Sequence, residues 1–578
     1  MRIVGVAVVL AAARVAALAG HDLAASLWSP VAYLWQDAAV LLVYLAIDRV
    51  LRRTPRIAWL PYVVFVAYVA VSVPMMRVMS TPMTWAMWRA AGGALGDSIW
   101  LYATAANLLW IAGVVAAGVG APVVVAQGFS PANHAGLEAR AALVAVGLTA
   151  LGPSAIARVD TRGLDRNPWS ALASGVVPRV TAASASENWR AGRTANASLD
   201  SLARFRGAAA NRNVILVGLE STAAQYLSLY GAAEDAMPTL SALARSAVVF
   251  DRAYAAYPES IKGLFSILCS AYPALDRDAG IYAGVPCRSI ASHAAARGYH
   301  TALFHSGRFG YLGMDAVIRN RGYHVLADAG DIGGERESSF GVDDHATAAR
   351  ILNWIDALPR GDRFFVTYLP IAGHHPYEAP DAGPFPARDE FGRYRNALHY
   401  GDTVLAALAR GLAARGLDRR TVWIVYGDHG EAFGQHDGNF GHTFQLYEEN
   451  VHVPLLIAAP GLISDQIRAR RIVSLIDIAP TILDLLNLPD DEAYQGSSAL
   501  REASGMALFS ADYSLGLLGL RDGTWKYIYE LESGRSRLFD LDRDPAEAHD
   551  IAGEHPDDVR WYAQRVRAWS AAQRARLE

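Results

Sequence analysis

The chain has 578 residues, of which 52% are hydrophobic, and carries a net charge of −4. Its mean hydropathy of +0.16 is high for a soluble protein and its length exceeds one ordinary domain, so a membrane part is expected. The near-neutral charge gives no reason to expect a nucleic-acid partner.

Five apolar segments precede residue 158. Residues 99–126 are uncharged and long enough to cross a hydrocarbon core of ~30 Å, and residues 58–76 and 141–157 are uncharged at near-minimum length. Residues 3–20 and 30–47 contain one charge each, Arg14 and Asp37. If the first helix runs outward and the second inward, the two charges lie at similar depth and are predicted to pair, because an intramembrane charge normally needs a partner. The competing arrangement is a snorkelling Arg14 and an Asp37 facing a wet cavity.

Arg49, Arg52, Arg53 and Arg56 follow the second segment, whereas residues 21–29 contain no Lys or Arg. The positive-inside rule places the N-terminus in the cytoplasm, and five crossings place everything after Arg158 outside, as in a multi-pass membrane protein. Arg2, an apolar core and Ala17-Leu18-Ala19 also mimic a cleavable signal peptide, but Arg14 within the core argues against cleavage. Residues 80–98, with Trp85, Trp88 and Arg89, read as an interfacial segment on the outer side. The sequence therefore divides into a transmembrane domain (1–157), a juxtamembrane helix near 167–176 with a linker (158–212), and an external domain (213–578).

The external domain opens on Asn213-Val-Ile-Leu-Val-Gly-Leu, an apolar run of strand length that ends on Glu220. Ligands collect at the carboxyl ends of strands in open α/β sheets, so Glu220 is a candidate metal ligand or base. Further on, Tyr257-Pro-Glu-Ser260 opens an apolar-periodic helix. A serine near a helix N-terminus suits a nucleophile that carries a phosphoester, although a simple capping serine has the same signature.

Lysine is nearly absent, with only Lys262 and Lys526; Lys262, two residues beyond Ser260, is a candidate to neutralise a bound phosphate or an exposed first-turn side chain. Strand-like runs end at His305, with Arg308 just beyond, before His374-His375, and at Asp428-His429-Gly-Glu431. Four strands thus deliver metal-capable or proton-handling groups to one edge, which points to an active site. Helices expected at 238–247, 289–297, 344–358, 394–415 and 477–486 alternate with these strands, giving an α/β domain with a largely parallel sheet covered on both faces. Cys269 and Cys287 lie in this domain, where an oxidising compartment permits a disulfide; two buried thiols are the alternative.

The motifs Val-Gly-Leu-Glu220-Ser, Gly-Asp428-His429-Gly-Glu, His442 followed by Leu-Tyr447-Glu-Glu-Asn-Val-His-Val-Pro, and Leu-Arg-Asp-Gly-Thr-Trp-Lys526 with Leu-Phe-Asp-Leu-Asp-Arg-Asp-Pro-Ala-Glu547 resemble the sulfatase-like branch of the alkaline phosphatase superfamily. The layout is most similar to its membrane-anchored lipoteichoic acid synthases, phosphoglycerol transferases and phosphoethanolamine transferases. The resemblance implies one divalent metal, zinc or manganese, held by Glu220, Asp428, His429 and the nucleophile Ser260. It also implies catalytic or substrate roles for His374 and His442, with Lys262, His305, Arg308 and His375 as further substrate-binding candidates.

Two departures matter. The Cys/Ser-x-Pro-x-Arg signature of sulfatases is replaced by Ser260-Ile-Lys262-Gly-Leu264, which argues against a sulfatase. The membrane transferases usually carry Thr where Ser260 stands, which leaves Ser221 and Thr222 as fallback nucleophiles. The function expected is transfer of a phospho-headgroup from a membrane lipid to an envelope glycan or lipid acceptor, the alternative being a membrane-tethered phosphodiester or sulfate ester hydrolase.

Overall fold

In the N-terminal part, helices α1 (Arg2–Leu18), α2 (Ser29–Val50), α3 (Trp59–Met79), α5 (Ala105–Gly128) and α6 (Pro131–Ile156) form a bundle, with a short helix α4 (Trp85–Ala91) beside it and a connector helix α7 (Pro168–Ser174) after it. The computed structural model describes residues 1–91, 102–128, 131–175, 177–183, 188–190, 192–193, 202–334, 340–501 and 505–578. Expectations for the start of the fourth apolar segment, the end of the 80–98 connection and much of the 176–201 linker lie outside the described residues.

Among the described residues four helices are long and apolar enough to cross a membrane. Of the five expected spans, α1 falls short: its 17 residues extend about 25 Å, less than a ~30 Å core. It is nevertheless central, packing on α2, α3 and α5 with Val6, Val9 and Ala16 fully buried.

Arg14 and Asp37 pair as expected. Arg14 Nε and Nη2 donate to the two Asp37 carboxylate oxygens at 2.7 and 2.9 Å, a bidentate geometry that favours Arg over Lys. The same guanidinium also donates to the carbonyls of Leu164, Asp165 and Arg166, and Asn167 Nδ2 donates to Asp37 Oδ1 at 2.7 Å. The pair thus holds the connector that follows α6, which the sequence pattern alone did not reveal.

The C-terminal domain is built on a sheet of order β8-β2-β7-β6-β1-β5-β3-β4, with β1 Asn213–Leu219, β2 Ala247–Tyr254, β3 Tyr299–His305, β4 Val325–Ala327, β5 Arg363–Leu369, β6 Thr421–Gly427, β7 Leu455–Ala458 and β8 Ile467–Ser474. Neighbours among these eight strands run parallel except β7, which is antiparallel to β2 and β6. In β1, Val214 and Leu216 enter one apolar layer while Ile215 and Val217 enter the other. Unbroken apolar runs are therefore required, and each such buried side chain contributes about 1.5–3 kcal/mol.

The five expected helices are present within a few residues of their predicted bounds, for example Asp344–Asp356 and Glu390–Ala414. A second, antiparallel sheet of four strands (Met506–Ala511, Leu517–Asp522, Trp525–Glu530, Ser536–Asp540) packs against the helix Pro556–Ala575. There Lys526, fully buried, lies between Glu448 at 2.9 Å and Glu547 at 3.0 Å, tying this sheet to the segment after His442. Cys269 and Cys287 form a disulfide that fixes the end of the Ser260 helix to the following loop.

Candidate active site

Parallel pairing of β1 with β6 sets Leu219 beside Gly427, so the next residues, Glu220 and Asp428, emerge together at the carboxyl edge. Ser221 follows at φ 52°, a conformation disfavoured for a non-glycine residue. It turns its amide onto Asp428 Oδ1 at 3.0 Å, where the His429 amide also donates at 2.8 Å. The Gly430 of the same motif is required by packing, since a Cβ there would stand 2.0 Å from the Glu449 carbonyl oxygen.

The helix Ser260–Cys269 begins at Ser260, and its cap is Glu259, whose carboxylate accepts from the amides of Ile261 and Lys262. The capping role open to Ser260 in the sequence is thus taken by its neighbour, and the Ser260 hydroxyl is turned into the site. It lies 3.0 Å from Glu220 Oε2 and 3.1 Å from His429 Nε2. The hydroxyls of Ser221 and Thr222 donate to Glu220 Oε1 and the Glu220 carbonyl instead, a poorer position for a nucleophile.

Glu220, Asp428 and His429 bring their ligand atoms within 4.8 Å of one another. His429 Nδ1 donates to the Gly430 carbonyl at 2.9 Å, which leaves Nε2 as a lone pair facing both carboxylates at 3.5 Å. Burial, and then the charge of Asp428, push the Glu220 carboxyl up to about 8. Burial lowers His429, but the two carboxylates outweigh it and raise the ring. Two carboxylates, an imidazole and a hydroxyl with surplus negative charge fit a divalent cation, and the O/N donor set suits zinc or manganese.

Around this cluster, His442 stacks on His429 with ring centroids 4.0 Å apart, and its Nδ1 lies 2.9 Å from Glu431 Oε2. Burial would raise Glu431, but the hydrogen bond and charge of His442 hold it below the usual carboxylate range. An ionised carboxylate on Nδ1 leaves Nε2 of His442 to exchange a proton with substrate. Glu431 was not assigned this role from the sequence, although its place two residues after His429 in the motif carried the signal.

His374 stacks on Phe340 with centroids 3.7 Å apart, and Nδ1 donates to the His375 carbonyl at 2.6 Å. Burial and the proximity of His442 push it down to about 3, so it is neutral at ordinary pH and offers Nε2 as an acceptor. His305 lies behind the cluster, lining a small cavity with Glu220, Ser260 and Asp428, and burial lowers it to about 4. Arg308 is half-buried with its guanidinium near Gly330. Lys262 points elsewhere: its ammonium lies 3.0 Å from both Asp512 oxygens and 3.1 Å from the Tyr257 hydroxyl, so the neutralising position suggested by its two-residue spacing from Ser260 is not the one it takes.

Two walls of the site are held by the bundle. Tyr102, just before α5, stacks on His375 with centroids 5.7 Å apart. The hairpin of strands Ala432–Phe433 and Phe440–Gly441 joins Glu431 to His442, and at its tip Asp437 accepts from the Asp22 amide at 3.0 Å and lies 2.8 Å from His21 Nδ1. His21 Nε2 in turn lies 2.9 Å from the Arg77 carbonyl.

Residues 212–488 match the family model described as "Sulfatase". Among curated proteins, arylsulfatase K of Bos taurus is 31% identical over 187 residues, which are 29% of this chain and 34% of that protein; the Mus musculus protein is 31% identical over 186 residues. The chain spans about a third of the length of the curated relatives it matches. Among solved structures, a protein in the alkaline phosphatase superfamily from Vibrio parahaemolyticus superposes with TM-score 0.53 at 19% identity, over 67% of this chain and 90% of that one. The lipoteichoic acid synthase LtaP from Listeria monocytogenes superposes with TM-score 0.51 at 17% identity, over 64% and 94%. The segment 212–488 thus resembles sulfatases in sequence, and the domain shares its fold with these solved structures.

Proposed function

We propose that this chain is a metal-dependent transferase that moves a phospho-headgroup, phosphoglycerol or phosphoethanolamine, from a membrane lipid to an envelope glycan or lipid through a phosphoserine intermediate, working at the outer face of a bacterial inner membrane. The observation that carries the reading is the seating of the site on the bundle: Tyr102 and His21 from helix ends contact His375 and the Glu431–His442 hairpin. A soluble substrate requires no such junction, whereas a lipid headgroup has to be met at the membrane surface.

The Ser260 hydroxyl has two proton acceptors at hydrogen-bond distance, Glu220 and His429. A divalent cation bound by Glu220, Asp428, His429 and Ser260 would lower the pKa of that hydroxyl and neutralise charge on the transferred group. Ser260 Oγ, its proton released to solvent, forms its bond to phosphorus as the bond from phosphorus to the lipid alcohol breaks. His442, oriented by Glu431, gives the leaving oxygen its proton. In the second half an acceptor hydroxyl returns a proton to His442 and takes the group from Ser260, whose oxygen regains its proton from solvent. His374 and His375 orient the substrate, with His305 and Arg308 behind them.

A second reading, sulfate ester hydrolysis, is supported by the arylsulfatase K matches; against it stand Lys262 and Leu264 in place of the Pro and Arg of the sulfatase signature. Intact-mass analysis with peptide mapping after incubation with phosphatidylglycerol and, separately, phosphatidylethanolamine decides between them. A headgroup-sized adduct on Ser260, absent from Ser260→Ala, is the expected result. No adduct with either lipid, alongside cleavage of an aryl sulfate, would replace the transferase reading with the hydrolase.

A further inference from the structure

A cavity of about 290 Å³ lies between the bundle and the C-terminal domain, away from the metal cluster: Ser260 is not among its lining residues, although Glu259 and Lys262 of the same helix turn are. Its other walls come from α4 (Trp85, Arg89), from Arg166 and the end of α7, and from the loops around Asp278 and Asp512.

Nearly every cation at this cavity has a carboxylate partner. Lys262 pairs with Asp512 at 3.0 Å, Arg179 with Asp276 at 3.4 Å, Arg277 with Glu578 at 2.8 Å, and Arg89 with Asp278. Arg166 differs. It is 6% exposed, and among the described residues its guanidinium donates only to hydroxyls, Ser514 at 2.8 Å and Thr81 at 3.5 Å. Burial pushes it below the ordinary arginine value, with Glu532 and Asp165 offsetting only part of that effect, as expected for a cation taken from water with no carboxylate in direct contact. The Arg166 backbone carbonyl is itself held by Arg14, so the side chain is fixed at the level where the bundle ends. Trp85 lines the cavity, and it and Trp88 of the same helix α4 are 46% and 45% exposed, the exposure expected of interfacial tryptophans beside acyl chains.

We propose that this cavity is a second, non-reacting lipid site that takes the phosphate of a membrane phospholipid headgroup, with Arg166 as the anion-binding residue and Trp85 against the glycerol and acyl region. An anion there would complete the charge of Arg166 through charge-assisted hydrogen bonds. Through Lys262, the occupied cavity would abut the first turn of the Ser260 helix. The inference rests on the reading of the bundle as membrane-embedded and goes beyond the catalytic one, since it does not depend on which ester Ser260 attacks.

The test uses the full chain in mild detergent, carrying Ser260→Ala so that no lipid is consumed. Native mass spectrometry and thermal unfolding are followed during titration with phosphatidylglycerol, phosphatidylcholine, diacylglycerol or free sn-glycerol 3-phosphate. The expected result is saturable binding of a phospholipid but not of diacylglycerol, weakened about tenfold by Arg166→Gln, as for loss of a charged hydrogen bond, and retained by Arg166→Lys.

Gly280 lies at the cavity with open space where a Cβ would stand, so Gly280→Leu should occlude it by bulk alone. It should weaken binding similarly while leaving cleavage of a soluble aryl ester, measured with Ser260 intact, unchanged; this variant decides the matter if Arg166→Gln fails to fold. Phospholipid binding that is insensitive to both variants, equal binding of diacylglycerol, or equal occupancy by free glycerol phosphate would each overturn the lipid site.

Discussion

The fold buries two clusters of charge and completes them in opposite ways. At the bundle, Arg14 and Asp37 neutralise one another, and the remaining donors of the guanidinium are taken by the carbonyls of Leu164, Asp165 and Arg166. At the sheet edge, Glu220 and Asp428 face a single imidazole, and their mutual repulsion together with burial raises Glu220 to about 8. The first cluster is a lock whose every group is satisfied within the chain. The second stores unfavourable electrostatics that a cation would relieve, the usual mark of a functional site. Burial alone therefore does not separate structural from catalytic charge; the local sum of charges does.

Neutral isosteres should sharpen this contrast most. Asp428→Asn retains an oxygen for the amides of Ser221 and His429 but removes one of the two negative charges. Turnover should fall by about 10³-fold or more, while thermal unfolding of metal-stripped protein should show stability unchanged or higher, as at sites that trade stability for activity. A clear loss of apoprotein stability would place Asp428 among the structural charges.

Arg14→Ala, by contrast, leaves Asp37 buried without its partner and should destabilise the full chain by about 3–5 kcal/mol, read as a lower melting temperature in detergent. The double exchange Arg14→Asp with Asp37→Arg should recover part of that loss. If it melts no higher than the single variants, the carbonyl contacts of Arg14, and not the ion pair, are what the bundle needs.

The coupling between bundle and site gives a smaller effect. Asp437→Ala releases the hairpin tip from His21 and the Asp22 amide, and the resulting misplacement of His442 should lower kcat on the order of tenfold with KM for a small ester little changed. A change confined to KM would mean that the hairpin serves binding alone.

The smallest effect concerns acid. Asp160 accepts from Arg537 at 2.9 and 3.0 Å, joining the connector to the second sheet. Burial alone would raise this carboxyl, but Arg537 outweighs it and holds it at about 2. A depressed carboxyl contributes stability that is fully present above its unfolded value of about 3.9 and is lost as pH falls towards the folded one. Resistance of the connector to proteolysis should therefore decline between about pH 4 and pH 2, and Arg537→Gln should show the weaker junction already at neutral pH.

Much of this was legible in the chain itself. The runs before Glu220 and Asp428 read as buried strands because β1 and β6 are packed on both faces, which requires apolar residues at successive positions. Arg14 and Asp37 stood out because charge is rare within apolar segments. Lys262 was read towards Ser260 because spacing along a chain says nothing about which way a first-turn side chain points; Asp512, 250 residues away, decides that. His21 and Asp437 carried no signal, being ordinary loop residues until the fold brings helix ends to a hairpin tip.

Local pattern thus determined the buried strands, most of the apolar helices and the residue types that gather at the sheet edge, because burial and backbone geometry constrain sequence residue by residue. Which strands neighbour one another, which hydroxyl meets Glu220 and His429, which cation lacks a carboxylate and where the bundle touches the site were decided only by the tertiary structure. Those outcomes depend on contacts between residues far apart in the chain, and no local periodicity records them.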